Sequence, residues 1–202
     1  MLADMFSAIT IQDNMVFIEQ VHRDGYIEFG HKDALPLVGR AAILGTMKHL
    51  NLPKSEYFVI GGANLVLRGI RQETTDLDML VSENVFEQLS KLVGAEIHEP
   101  PEMAIARGAD NQTVWVKNKR TKIPVSATTA LGDGYYPMTF DSHEQFTEDI
   151  EGVNCLTLEH VRASKEALQR QKDVIDLLLI ATFLGEEFEL PEPTIRNPIL
   201  VS

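Results

Sequence analysis

Residues 57–81 read Tyr-Phe-Val-Ile-Gly-Gly-Ala-Asn-Leu-Val-Leu-Arg-Gly-Ile-Arg-Gln-Glu-Thr-Thr-Asp-Leu-Asp-Met-Leu-Val, and the fold turns on this stretch. Tyr57 to Ile60 is a short β-type run ended by Gly61 and Gly62; Ala63 to Arg68 returns to helix-forming residues, and Gly69 offers a C-terminal cap. Asp76 to Val81 alternates and then turns apolar, the pattern of a second, buried strand. Strand, glycine turn, short helix and strand make an α/β (α+β) unit. With Asp76 and Asp78 two apart on a strand, their carboxylates share one face while Leu77 and Met79 take the other.

Outward from this unit, Asn84 to Val93 has amphipathic helical spacing and stops at Gly94. Thr113 to Val116 and Lys122 to Val125 are β-rich runs that predict a hairpin, with Pro124 suggesting an edge position or an irregularity. Leu131 to Asp149, rich in Gly, Pro, Asp and Tyr, reads as loop. Thr157 is an N-cap for a long C-terminal helix over 158–184 that Gly185 closes, and an extended tail carries Pro191, Pro193 and Pro198. Upstream, apolar spacing predicts a helix from Pro36 to about Leu52, preceded by a helix-rich segment with a short extended piece and a turn at Asp24-Gly25. The expected organisation is an N-terminal helical lead-in, 1–52, and an α/β domain, 53–202, with a mixed sheet flanked by helices.

Composition narrows the function classes. The formal net charge of −12 argues against broad binding to duplex nucleic acid, which depends on neutralising many phosphates, and suits a cationic small substrate or a divalent metal. Lys117, Lys119, Arg120 and Lys122 nevertheless form a local basic cluster. Leu177 to Ile180 centres an apolar run far too short to span a bilayer, and Met1 to Asn14 lacks Lys and Arg, so neither a membrane partner nor a secretory signal is expected and the location is read as cytoplasmic. Cys155, the one cysteine, reads as a buried small hydrophobe. The histidines, His98, His143 and His160 among them, have no metal-ligand spacing, Trp115 reads as hairpin packing, and the Leu131 to Tyr136 loop is explained by turn formation as well as by closure over a substrate.

An Asp-x-Asp pair alone is most often a solvated strand end, and paired glycines alone are as often a tight turn as a phosphate cradle. Their order here is more telling. Gly61-Gly62, then Gly69-Ile70-Arg71, then Thr75-Asp76-Leu77-Asp78 resembles the signature of the DNA-polymerase-β-like nucleotidyltransferase superfamily, and most nearly its bacterial abortive-infection toxin-type and minimal members. A second block, Lys165, Arg170, Lys172, Asp173 and Asp176 in the order Lys-x4-Arg-x-Lys-Asp-x2-Asp, is similar to the helix that follows the core in that group. On one continuous helix Lys165, Lys172 and Asp176 would fall on nearly one stripe, either bordering a cleft or forming an ordinary surface pair.

The resemblance implies a Mg²⁺-dependent enzyme, with one or two ions, that moves a nucleoside monophosphate from a nucleoside triphosphate to a hydroxyl on a small molecule, RNA or protein. In that reading Asp76 and Asp78 hold metal, Gly61 and Gly62 cradle the triphosphate, Lys165 and Lys172 neutralise phosphate, Arg71 is a further phosphate ligand, and Asp173 or Asp176 orients a lysine or the acceptor. It also implies a role in defence or toxin–antitoxin biology, with an antitoxin or a second copy as partner. One departure stands out: Ser126 occupies the place where active members put a third carboxylate on a later strand. Either a nearby acid such as Asp133 or Asp141 substitutes, or that strand lies elsewhere, or the chain is a catalytically silent member that binds nucleotide or a protein partner. The alternative to both readings is an unrelated α/β domain.

Overall fold

The computed structural model describes the backbone of residues 8–12 and 15–19, and residues 37–99, 112–117, 123–131, 136–168 and 170–188. The chain divides into two compact units, residues 1–35 and 36–202. In the first, β1 (Ala8–Gln12) pairs antiparallel with β2 (Met15–Glu19). The segment read from sequence as helical thus holds a hairpin, and the β-branched content of Ala-Ile-Thr-Ile-Gln and Met-Val-Phe-Ile-Glu accounts for it. Asp24-Gly25, Lys119, Arg120, Lys122, Asp133 and the proline tail lie outside the described residues.

The second unit opens with β3 (Val38–Gly39) and α1 (Arg40–Leu50). Ile43 and Met47 of α1 are buried in the core of this unit, so the chain divides after Leu35 where the sequence suggested 52. Next come β4 (Tyr57–Val59), α2 (Gly61–Leu67), β5 (Glu73–Thr74), β6 (Leu77–Val81) and α3 (Glu83–Ser90), the last capped by the Ser82 hydroxyl, which accepts from the Val85 N–H at 3.2 Å. β7 (Ala95–His98), β8 (Thr113–Val116), β9 (Val125–Thr128), β10 (Ala130–Leu131), β11 (Met138–Thr139), α4 (Phe140–His143), β12 (Thr147–Ile150) and β13 (Val153–Leu156) follow.

Seven of these strands form one mixed sheet in the order β12-β13-β4-β6-β9-β8-β7. β4 and β6 are antiparallel with Tyr57 opposite Val81; β6 and β9 are parallel with Asp78 beside Ser126; β8 and β9 make the expected antiparallel pair. β9 starts at Val125, later than the sequence suggested, and it is central. Pro124 is tolerated because it sits just outside the ladder, where its carbonyl accepts from the Leu77 N–H at 2.9 Å. The stretch read as loop also contains short strands and α4, held by a Thr139–Ser142 capping box.

Period-2 alternation sorts β6 between two cores. Leu77, Met79 and Val81 pack with Ile43, Met47, Val66, Val85 and Leu89 under α1, α2 and α3. Leu80 joins Phe58, Leu156, Met138, Phe140, Val161 and Ile180 on the opposite face, where the Phe58 and Phe140 rings stack at 5.7 Å. Asp76 and Asp78 share the second face. The expected single helix over 158–184 is two, α5 (Leu158–Leu168) and α6 (Gln171–Leu184). Arg170 is extended at φ −69°, ψ 157°, and Asp173, three residues on, accepts its backbone N–H at 3.1 Å. A new helix starts where its own N-terminal carboxylate caps it.

Asn64 of α2 is fully buried and joins strands that share a single bridge pair. Its amide nitrogen donates to the Val59 carbonyl at 2.9 Å and the Leu156 carbonyl at 2.8 Å, and its oxygen accepts from Arg68 Nε at 2.7 Å. Arg68 in turn donates to the Leu156 carbonyl and to Glu148. Asn64→Leu keeps the volume but strands two buried carbonyls and part of a guanidinium, so it should lower the unfolding free energy by about 2–4 kcal/mol. Urea denaturation reads this directly; an unchanged midpoint would show that the carbonyls find other donors.

Candidate functional site

The turn between β4 and α2, the start of β6, the middle of β9 and the facing helices α5 and α6 enclose a cleft of about 300 Å³. Asp76 and Asp78 stand on its floor with Gly61 beside them and Ser126 next to Asp78 on the neighbouring strand. Lys165 from α5 and Lys172 from α6 line the same cleft. Two carboxylates are thus brought face to face with two ammonium groups from a distant part of the chain.

Asp78 is the most perturbed group here. Removal from water, and then the like charge of Asp76, raise its pKa to about 7, against the pull of Lys172, a hydrogen bond from the Ser126 hydroxyl, and Lys165. Two like charges held together in a half-buried place mark a site suited to a cation, and a set of hard carboxylate oxygens fits Mg²⁺ or Mn²⁺ rather than a softer metal. Asp76 also accepts from the Thr75 hydroxyl at 3.2 Å. Among the described residues no group of three or more His, Cys, Asp or Glu side chains is placed to hold a metal, so a bound ion would complete its shell with water or phosphate.

The glycines divide their work. Gly61 has φ +62°, a conformation that L side chains rarely adopt, and a Cβ there would lie 3.0 Å from Asp78 Oδ2. Bare backbone is therefore required against the carboxylate, and the Ile60 N–H donates to the Asp78 carbonyl at 3.0 Å, fixing the turn to β6. Gly62 faces away: a Cβ there would press on Thr74 Oγ1 at 2.8 Å and Arg71 Nη1 at 3.4 Å.

Lys165 is buried at 5 % exposure between two buried carboxylates. Its Nζ lies 2.6 Å from Asp176 Oδ2 and 3.6 Å from Asp173 Oδ1. Asp176 also accepts from Arg71 Nη1 at 3.1 Å, and Asp173 accepts from Arg170 Nε at 2.6 Å and Nη2 at 3.1 Å. Three cations against two carboxylates leave this cluster net positive, facing Asp76 and Asp78. Arg71 and Asp176, candidates for nucleotide contact on sequence grounds, sit behind the cleft and hold Lys165. Lys172 is exposed, and among the described residues it has no ion-pair partner within 4.0 Å.

The break between α5 and α6 means that the one-helix stripe does not exist. Lys165 meets Asp176 across a helix–helix contact instead. Leu131 and Tyr136, from the loop for which closure over a substrate was one reading, line the cleft; sequence reading gave no cleft role to Met138, Val161 and Leu168, which add apolar lining beside the charges, nor to Ser164, Thr113 and Thr128. The Asp173 capping signal after Arg170 was available to locate the break. Nothing local in the stretch read as loop marks Met138 as a lining residue. Asp141 is exposed at the start of α4 and is not among the cleft residues. Trp115 lies on the cleft-side face of β8, its ring 6.2 Å from that of His98 in an edge-on contact. Cys155 is buried, its thiol pushed up to about 12 by burial, and is inert packing as expected.

No family model matches the sequence, and no curated protein does. Among solved structures, the chain is similar to the crystal structure of a "putative nucleotidyltransferase from H. pylori", at 17% identity and a TM-score of 0.44, over 74% of this chain and 68% of that one. No helix among the described residues is long and apolar enough to cross a membrane.

Proposed function

We propose that this chain is a divalent-metal-dependent nucleotidyltransferase that moves a nucleoside monophosphate from a nucleoside triphosphate to a hydroxyl acceptor. The observation that carries the reading is the opposition, across one cleft, of Asp76 just before β6 and Asp78 on it to Lys165 and Lys172 on α5 and α6. Bare backbone at Gly61 lies against the Asp78 carboxylate. A bound Mg²⁺ would polarise the phosphate oxygens and offset charge as it develops.

In this reading Asp76 and Asp78 hold the metal and fix the α-phosphate near β6. Gly61 lets the phosphate chain approach the backbone. Lys172, exposed and with no ion-pair partner within 4.0 Å among the described residues, neutralises the phosphate tail, and Lys165 presents a charge fixed in place by Asp173 and Asp176. The acceptor oxygen forms a bond to the α-phosphorus as the α–β bridging P–O bond breaks; pyrophosphate departs with that bond's electrons, and the hydroxyl proton passes to solvent. Catalysis is then positioning and charge stabilisation. Ser126 beside Asp78 favours a second reading, a chain that binds nucleotide without turnover, because serine is no base near neutral pH. Transfer of labelled nucleotide to any acceptor separates the two.

Three expectations follow from the site. Calorimetry with each of ATP, CTP, GTP and UTP plus Mg²⁺ should show saturable binding of at least one nucleotide, lost in Asp76→Asn/Asp78→Asn while that variant still melts cooperatively; no binding of any nucleotide removes the proposal. The two lysines should separate by readout: Lys172→Ala weakens nucleotide binding by about tenfold with stability unchanged, a loss of roughly 1.4 kcal/mol, whereas Lys165→Met takes a buried charged partner from Asp176 and Asp173, which keep Arg71 and Arg170, and destabilises the fold by about 1.5–3 kcal/mol.

The third concerns pH. Because the folded-state pKa of Asp78 is raised to about 7, its proton competes with metal below that pH, so Mg²⁺ affinity should fall as pH drops from 8 to 6. In metal-free protein a raised carboxylate pKa means stability lost as pH climbs from the unfolded value towards 7. Asp78→Asn should therefore stabilise the metal-free fold at pH 8, by no more than about 4 kcal/mol, by less than half of that at pH 5, and hardly at all below about pH 4. Thermal melts in chelator across this range test the sign.

A further inference from the structure

The parallel register of β6 and β9 places Ser126 directly beside Asp78, and its hydroxyl donates to that carboxylate. On the cleft side of β9 and β8 the next positions are Thr128 and Thr113, opposite one another, so the floor beyond Asp78 is lined by hydroxyls. Thr128 Oγ1 lies 2.9 Å from both the Gln112 and Ala130 carbonyls, which engages its one proton within the sheet. Lys172 and Lys165 act on Asp78 from across the cleft.

Two divalent ions that clamp an attacking and a leaving oxygen stand about 3.5–4 Å apart and need an anion bridging them, with further anionic ligands on each side. Here a first ion would take both carboxylates. On the β9 side, where a second ion would share Asp78, a hydroxyl donor meets the carboxylate, and among the described residues lining the cleft Asp76 and Asp78 are the only acids. We infer that Ser126 restricts this centre to a single divalent ion on Asp76 and Asp78, the ammonium of Lys172 supplying the remaining positive charge. The inference rests on the nucleotidyltransferase reading and deepens it: it sets the number of ions.

Electron paramagnetic resonance of the full chain with Mn²⁺ and an α,β-methylene nucleoside triphosphate tests it. The Asp76→Asn/Asp78→Asn variant serves as the blank for manganese carried by the nucleotide alone. Wild type should bind one Mn²⁺ per chain above the blank, with the spectrum of an isolated ion. Ser126→Asp should bind two, with the line pattern of an exchange-coupled pair. A coupled pair in wild type overturns the inference while leaving the nucleotidyltransferase reading intact, and so does a folded Ser126→Asp protein that stays at one ion. No manganese above the blank in wild type overturns both. Should Ser126→Asp fail to fold, the wild-type count decides alone.

Discussion

Placing two carboxylates on one face of one strand is unfavourable, and most of the second unit is arranged around that placement. Asp76 and Asp78 share a face because a strand repeats every two residues, and β6 is buried on both sides, so the pair can reach only limited water. What holds β6 in place is its pairing on both edges, antiparallel to β4 and parallel to β9. The opposite face carries Leu77, Met79 and Val81 into a core under three helices. A one-residue slip would exchange those apolar side chains for the carboxylates, so the register of the sheet and the chemistry of the cleft are one constraint.

The counter-charge comes from the C-terminal pair of helices. A lysine buried as deeply as Lys165 is stable in its charged form only with anions in contact, and it has two. Replacing such a cluster with apolar residues is often neutral or favourable for stability, so its physical return is orientation: Lys165 is fixed between carboxylates that are themselves fixed by Arg71 and Arg170. The break at Arg170 makes this possible. It lets Asp173 cap α6 and contact Lys165 at the same time, and it leaves Lys172, one residue before that cap, on the cleft side.

Legibility in the sequence follows the range of the interactions. The unit from Tyr57 to Val81 could be read because its signals are local: two glycines, a change of hydrophobic period, and an acidic pair in alternation with apolar residues. The parity that sends Asp76 and Asp78 to one face is a property of any strand. The place of Ser126 was also legible, since β9 follows a proline and pairs with an obvious neighbour, although Pro124 suggested an edge where the strand is in fact central. The two helices at the C-terminus were read as one because Leu158 to Leu184 has enough apolar spacing to continue, and only the Asp173 cap argues for a restart. Roles that depend on contacts between distant segments were not legible. Arg71 and Asp176 look like ligands by type, yet they are more than a hundred residues apart and neutralise one another behind the cleft. Met138 becomes a lining residue only once β11 is laid beside β10.

The net charge of −12 is a further case in which a global quantity and a local one diverge. It would repel a triphosphate at long range, where the field of the whole chain acts and salt screens it. Within the cleft the relevant charges are few. Asp173 and Asp176 are spent on Lys165, Arg71 and Arg170, so the helices present positive charge to the strand carboxylates. A nucleotide arriving with a divalent ion carries much less negative charge than the free triphosphate, and in the proposed reading the ion would meet Asp76 and Asp78 while the phosphates would meet Lys172. On that reading the acidic surface would favour the metal complex over the bare nucleotide, the species that suits a site built from two carboxylates and two lysines.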